Sequence, residues 1–241
     1  MAETYQVGAY WGIRKEPAIV CARRLAGLLH CLAHCDDVFT SWFSDGISRQ
    51  AAPTEVKPHD ESALEALLHQ GRNRREDNRS VIEELGFTVG LWNGQDDSGS
   101  SSIIMQCGSY SEWVSNSVVL RLPRQGLPRE RIVQVNVLTQ ILQCIVTAWQ
   151  PDAASVASSD YVSLVHDTWG PMVGWITFIP VGPTELPSLP VHVRVIPADT
   201  HGSLIIATDE PFSAANPAHV ALANSVGEAL TRAGLLTLTK S

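Results

Sequence analysis

Phe87-Thr88-Val89-Gly90-Leu91-Trp92, Ile103-Ile104-Met105-Gln106-Cys107-Gly108-Ser109-Tyr110 and Ser117-Val118-Val119-Leu120-Arg121-Leu122 follow one another with polar, glycine-bearing links between them. The first link, from Asn93 to Ser100, is polar and too long for a tight hairpin turn. This reads as three consecutive strands in an antiparallel meander. Upstream, residues 5–11 read as another strand. Glu16-Pro17 then opens a helix, because proline suits the first helical turn and glutamate the positive end of the dipole. Ala18, Cys21, Ala22, Leu25, Leu28, Leu29 and Leu32 recur at helical spacing and predict the face that this helix lays on the sheet. The helix is expected to end near Cys35-Asp36-Asp37.

From there to Pro58 the chain reads as an irregular connection pinned by Trp42 and Phe43. A second helix is expected from Asp60, with Leu64, Leu67 and Leu68 on its apolar side and Gly71 as its stop. After the arginine-rich segment 72–79, a short helical turn through Val81, Ile82 and Leu85 leads into the meander. Downstream, Glu130 to Trp149 reads as the longest helix, ended by Pro151. Strand-like runs follow at 161–166, 173–179, 191–196 and 203–207, and a last helix runs from Pro217 to Gly234. Neighbouring strands in groups, with helices between the groups, argue for α+β, an antiparallel or mixed β-sheet packed against several helices. A single domain over 1–241 is the expected organisation, with sub-domains 1–149 and 151–241 as the alternative division.

With 44% hydrophobic and 17% charged residues, the composition is that of a folded globular chain. The net charge of −8 is unevenly spread: residues 1–80 carry ten basic and eleven acidic side chains, so nearly all the excess lies downstream. Between 132 and 231, Asp152, Asp160, Asp167, Glu185, Asp199, Asp209, Glu210 and Glu228 face a single cation, Arg194. Such a field repels nucleic acid and steers a basic partner, while also serving solubility. Five cysteines, an odd number, read as reduced and mostly buried thiols. No export signal or membrane-spanning stretch is evident, so a soluble cytoplasmic protein is expected.

A search for catalytic constellations finds no nucleophile elbow, phosphate loop, dinucleotide fingerprint or zinc helix. His30 and His34, one helical turn apart and close to Cys35, have the spacing of a metal-ligand pair, but no second pair accompanies them, and the helix's apolar stripe accounts for Cys31. His166-Asp167 is the other conceivable hydrolase element. No catalytic residue, metal or cofactor is therefore expected. Arg72, Arg74, Arg75 and Arg79 suit phosphate, yet Glu76, Asp77, Glu83 and Glu84 stand close enough in sequence to neutralise them, which favours an ion-paired junction over a nucleic-acid patch. Of seven tryptophans, Trp113 and Trp169 occupy loop positions where a ring either anchors a partner or covers a loop.

Taken as a set, Gly8-Ala9-Tyr10-Trp11-Gly12, Gly71-Arg72-Asn73-Arg74-Arg75, Leu91-Trp92-Asn93-Gly94, Asn116-Ser117-Val118-Val119-Leu120 and Trp149-Gln150-Pro151-Asp152 resemble the immunity protein 52 family. The resemblance is strongest over about residues 4–152. It implies an α+β antitoxin encoded beside a polymorphic toxin, often a restriction-endonuclease-like nuclease delivered by a secretion system. It supplies no catalytic residues. A nuclease presents a basic cleft, so a direct inhibitor gains from a negative face. The expected partner-binding residues are Asp152, Asp160, Asp167, Asp199, Asp209 and Glu210, with Trp113 and Trp169 as aromatic anchors and Asp96 and Asp97 as a second, loop-borne patch. No nucleic-acid or membrane partner is expected. The alternatives are a small hydrolase or metal-binding enzyme and a generic scaffold module. The aromatic-glycine signature at residues 8–12 reads as architectural, holding the first strand against the first helix.

Overall fold

A computed structural model describes residues 3–44, 53–96, 98–165, 172–198 and 202–237. Its centre is one ten-stranded sheet in the order β3-β2-β4-β5-β6-β1-β7-β8-β10-β9. The strands are β1 (Tyr5–Trp11), β2 (Trp42–Ser44), β3 (Thr54–Val56), β4 (Phe87–Trp92), β5 (Ser102–Cys107), β6 (Asn116–Arg121), β7 (Ala153–Ser158), β8 (Ile176–Ile179), β9 (Arg194–Pro197) and β10 (Ser203–Ile206). Every pairing is antiparallel. The predicted meander is β4-β5-β6, and β1 joins it to the second half of the chain by pairing with β6 on one side and β7 on the other. The sheet is thus continuous across residue 150, and the architecture is α+β.

The helices are α1 (Ala18–Ala33), α2 (Glu61–Gln70), α3 (Gly126–Ile132), α4 (Val135–Trp149), α5 (Ser159–Val165) and α6 (Pro217–Arg232). In α1 the buried residues are the seven of the predicted stripe. Asp60 caps α2 by accepting a hydrogen bond from the Ala63 amide at 2.9 Å. Helix α4 lies on β1, β7 and β8, α2 lies on β4, and α1 packs between α2 and α4.

Four expectations change. The residues read as one helix from Glu130 form two, α3 and α4, bent by 78°. Val133 leaves the helical region at ψ 59° and Gln134 is extended, which lets the adjacent Ile132 and Val133 both be buried. The 36–58 connection contains β2 and β3, each of three residues and too short to show a period, with Trp42 buried on one face and Phe43 on the other. The 161–166 run is not a strand: Tyr161 lies in α5, whose first turn is tied down by the Tyr161 amide donating to Ser158 Oγ at 3.1 Å, and residue 166 lies outside the described residues. The strand there is β7, Ala-Ala-Ser-Val-Ala-Ser, whose small residues are weak strand formers but are buried on both faces. Last, Cys31 and Cys144 form a disulfide between α1 and α4, with Cα atoms 5.6 Å apart, so the expectation of uniformly reduced thiols does not hold; Cys21, Cys35 and Cys107 remain free.

Candidate partner-binding surfaces

The signature at residues 8–12 builds the framework. Trp11 stacks on Trp149 with ring centroids 5.3 Å apart, so it fastens β1 to α4 and not to α1 as expected from sequence. The Arg14 guanidinium lies 4.7 Å from the centre of the Trp11 ring and donates to the Trp149 carbonyl at 2.7 Å. Burial pulls the Arg14 pKa down, opposed by the Glu16 carboxylate beside it. The Gly12 amide donates to Asp152 Oδ2 at 2.9 Å, and Asn116 Nδ2 donates to the Gly12 carbonyl at 2.7 Å. On the opposite face, Gly8 leaves room for the Tyr10 ring: a Cβ there would meet the Tyr10 hydroxyl at 2.9 Å. The motifs Gly8–Gly12, Asn116 and Trp149–Asp152 therefore converge on one structural joint, and the half-buried Asp152 is part of it.

The strand registers sort the other expected residues by the end of the sheet to which they belong. At the Tyr5 end, Asp160 follows β7, Asp209 and Glu210 follow β10, and Asp96 lies in the loop between β4 and β5. At the Trp11 end stand Asp152 and, in the loop between β5 and β6, Trp113, which is 90% exposed. Asp97, Asp167, Trp169 and Asp199 lie outside the described residues.

Two of the carboxylates at the Tyr5 end are already engaged. Asp209 pairs with Arg194 at 2.8 Å, and Glu210 meets His219 Nε2 at 2.8 Å. His219 Nδ1 accepts the Ser213 amide at 3.0 Å, which leaves Nε2 as the donor toward Glu210. Exposed Asp160 has no ion-pair partner among the described residues, and Asp96 is held low in pKa by Ser98, which donates from its hydroxyl and its amide. Tyr5 closes this margin from inside: its hydroxyl donates to the Phe212 carbonyl at 2.8 Å, and burial together with Glu3 pushes its pKa up to about 12.

A surface that motif reading misses is the face of β4-β5-β6 away from the helices. There the burial pattern alternates, and Thr88, Gly90, Ile104, Gln106, Ser117, Val119 and Arg121 form the face left open. Ile104 is 45% exposed, and a Cβ built on Gly90 meets nothing within 4 Å. The registers set Ile104 between Gly90 and Val119, and Trp92 beside Phe43. The signal was available as the two-residue alternation within the predicted strands. On the other half of the sheet β7, β8 and β10 are buried at every position and only the edge strand β9 is exposed, so among the described residues the broad free face belongs to the meander half.

Of the residues of the enzyme alternatives, the structure describes His30, His34 and Cys35. His30 and His34 meet edge to face at 4.8 Å, but His34 Nδ1 is engaged by the His30 carbonyl at 2.8 Å and Cys35 Sγ turns to Cys144 Sγ at 3.7 Å. Among the described residues, no group of three or more His, Cys, Asp or Glu is placed to hold a metal ion. His166 and Asp167 lie outside the described residues.

Comparison with known proteins accounts for the architecture. No curated protein sequence matches the chain. Among solved structures, a Pseudomonas aeruginosa T6SS protein, PA0821, superposes with a TM-score of 0.55 at 13% identity, over 94% of this chain and 73% of that one. At that identity the likeness shows a shared fold. The sequence model of immunity protein 52 matches residues 3–239, nearly the whole chain. The chain therefore belongs to the immunity protein 52 family.

Proposed function

We propose that this protein neutralises a cognate secreted toxin by stoichiometric contact, without turnover, in the cytoplasm of the cell that makes it. The toxin is a restriction-endonuclease-fold nuclease delivered by a type VI secretion system. The family match over residues 3–239 carries the reading. The shape and charge of the molecule support it. The meander offers an open sheet face, and the Tyr5 end of the sheet gathers Asp96, Asp160, Asp209 and Glu210, a margin suited to a basic nuclease cleft. Because Asp209 already holds Arg194 while Glu210 meets only a neutral imidazole, Asp96, Asp160 and Glu210 contribute the least compensated charge.

Trp113 stands at the other end as an exposed aromatic anchor. A six-residue strand spans only about 20 Å, so one interface of about 800 Å² per partner reaches both ends. Asp97, Asp167, Trp169 and Asp199 belong to the proposal by sequence position alone, while the Asp152 carboxylate is committed to the Gly12 joint.

Co-expression with the product of the adjacent open reading frame tests the reading. The expected outcome is a stable one-to-one complex on size-exclusion chromatography and survival of cells that the neighbouring product otherwise kills. Separate elution together with continued toxicity would sink the immunity role. Toxicity without DNA or RNA cleavage would remove the nuclease from it.

A further inference from the structure

Among the described residues, the arginine segment forms only one ion pair of the junction that its sequence favours, Arg72 with Glu83. Residues 72–74 and 80–82 fold back on each other as a small hairpin, with Arg74 bridging Val81, the Ile82 amide donating to the Asn73 carbonyl at 2.9 Å and the Arg75 amide donating to the Ser80 carbonyl at 2.9 Å. The hairpin is anchored to the sheet by the Arg72–Phe87 bridge and by the Thr88 amide donating to the Gly71 carbonyl at 2.8 Å. Of the acidic neighbours Glu76, Asp77, Glu83 and Glu84, only Glu83 approaches an arginine among the described residues, at 3.9 Å from Arg72. Arg72 Nε is buried with no hydrogen-bond partner.

Beside the hairpin, the end of α2 and the edge of β4 enclose a cleft of about 700 Å³. Arg72, Arg74 and Arg79 line it together with Asn73, over an apolar floor from Leu67 and Val89, and no acidic side chain is among its lining residues. Three clustered arginines, of which only Arg72 has an acidic partner among the described residues, stand out in a chain of net charge −8. Arg79 sits there at φ 59°, a conformation that L side chains rarely adopt, and its carbonyl accepts from Arg74 at 3.1 Å.

We infer that this cleft is a binding site for a small phosphate-bearing molecule of nucleotide size. Three guanidiniums offer far more donors than one carboxylate can accept, whereas a phosphate presents several acceptor oxygens to planar, bidentate forks. The volume exceeds a bare phosphate and falls within the range of small-ligand sites, so the apolar floor is left for an organic group. The acidic remainder of the molecule disfavours a long polyanion over a compact one. The site is separate from the Tyr5-end margin, and the inference does not depend on toxin binding.

Isothermal titration of the full chain at low ionic strength tests it, with ADP, inorganic pyrophosphate and a single-stranded oligonucleotide as probes. Wild type is expected to bind ADP at sub-millimolar concentration and more tightly than pyrophosphate. The pair Arg74→Gln with Arg79→Asn should weaken ADP at least about tenfold, while Arg124→Gln with Arg232→Gln, the same change of charge outside the cleft, should leave it unaltered. Asparagine tolerates positive φ, so Arg79→Asn alone serves if the pair fails to fold. A thermal midpoint lowered without loss of ADP affinity would mean that the arginines only support the hairpin and the C-terminus of α2, and would overturn the inference. So would no heat with ADP at millimolar concentration, or tight binding of the oligonucleotide alone.

Discussion

Trp11 shows how one residue can carry a family signature without touching a partner. Its ring is buried, stacked on Trp149 and covered by Arg14, while its strand neighbours Gly12 and Tyr10 are tied to Asp152 by the Gly12 amide and, from the Tyr10 carbonyl, to the Asp152 amide. Trp11→Ala is therefore expected to cost about 3–5 kcal/mol of stability, read by urea denaturation, with no selective loss of toxin binding in the fraction that folds. A stable Trp11→Ala protein that no longer bound its partner would reverse that assignment. Much at this scale was legible: the glycine and tryptophan types announced a tight joint, and the seven buried positions of α1 could be read from their spacing. The partner of Trp11 was not legible, because Trp149 lies 138 residues further along the chain and nothing local encodes that distance.

Between elements, the Cys31–Cys144 disulfide links α1 to α4 across 113 residues of sequence. Closing so long a loop removes much freedom from the unfolded chain, and reduction is expected to lower stability by about 2–5 kcal/mol. Denaturation with and without reductant checks this, and a Cys31→Ser, Cys144→Ser protein should be indifferent to the reductant. An equal shift in both proteins would show that the bridge is not the cause. Cys35, 3.7 Å from Cys144 Sγ, has its pKa pushed up to about 11 by burial and by Asp36, so it is a protonated and poor attacking thiol at neutral pH. The bridge was unreadable because cysteines on an apolar helical stripe look the same whether they pack or pair. The break between α3 and α4 escaped for a related reason: Ile132 and Val135 continue a helical period across it, and only the packing of Val133 turns the chain.

For the molecule as a whole, the unevenness of charge takes on a geometry that a count of residues lacks. Carboxylates contiguous in the composition separate to the two ends of the sheet, and several are spent on Arg194, His219 and the Gly12 amide. Electrostatic steering should then depend most on the Tyr5 end. Asp160→Lys with Asp209→Lys is expected to slow association with the toxin about tenfold at low salt and to flatten its salt dependence, as stopped-flow mixing would show. Unchanged rates would place the contact on the open sheet face or around Trp113.

The sequence by itself determined the kind of protein this is: helix stripes, the meander, the α+β class and the family signature all depend on short-range periodicity and residue type, which the chain carries locally. Tertiary structure alone decided the β1–β7 pairing that makes one sheet of two halves, the disulfide, the free face of the meander and the cleft beside the arginine hairpin. Each of these depends on groups distant in the chain meeting in space. β7, built mostly from alanine and serine, is a strand only because its neighbours bury it on both sides, and among the described residues the hairpin leaves Arg72 alone of the arginines of 72–79 with an acidic partner, Glu83.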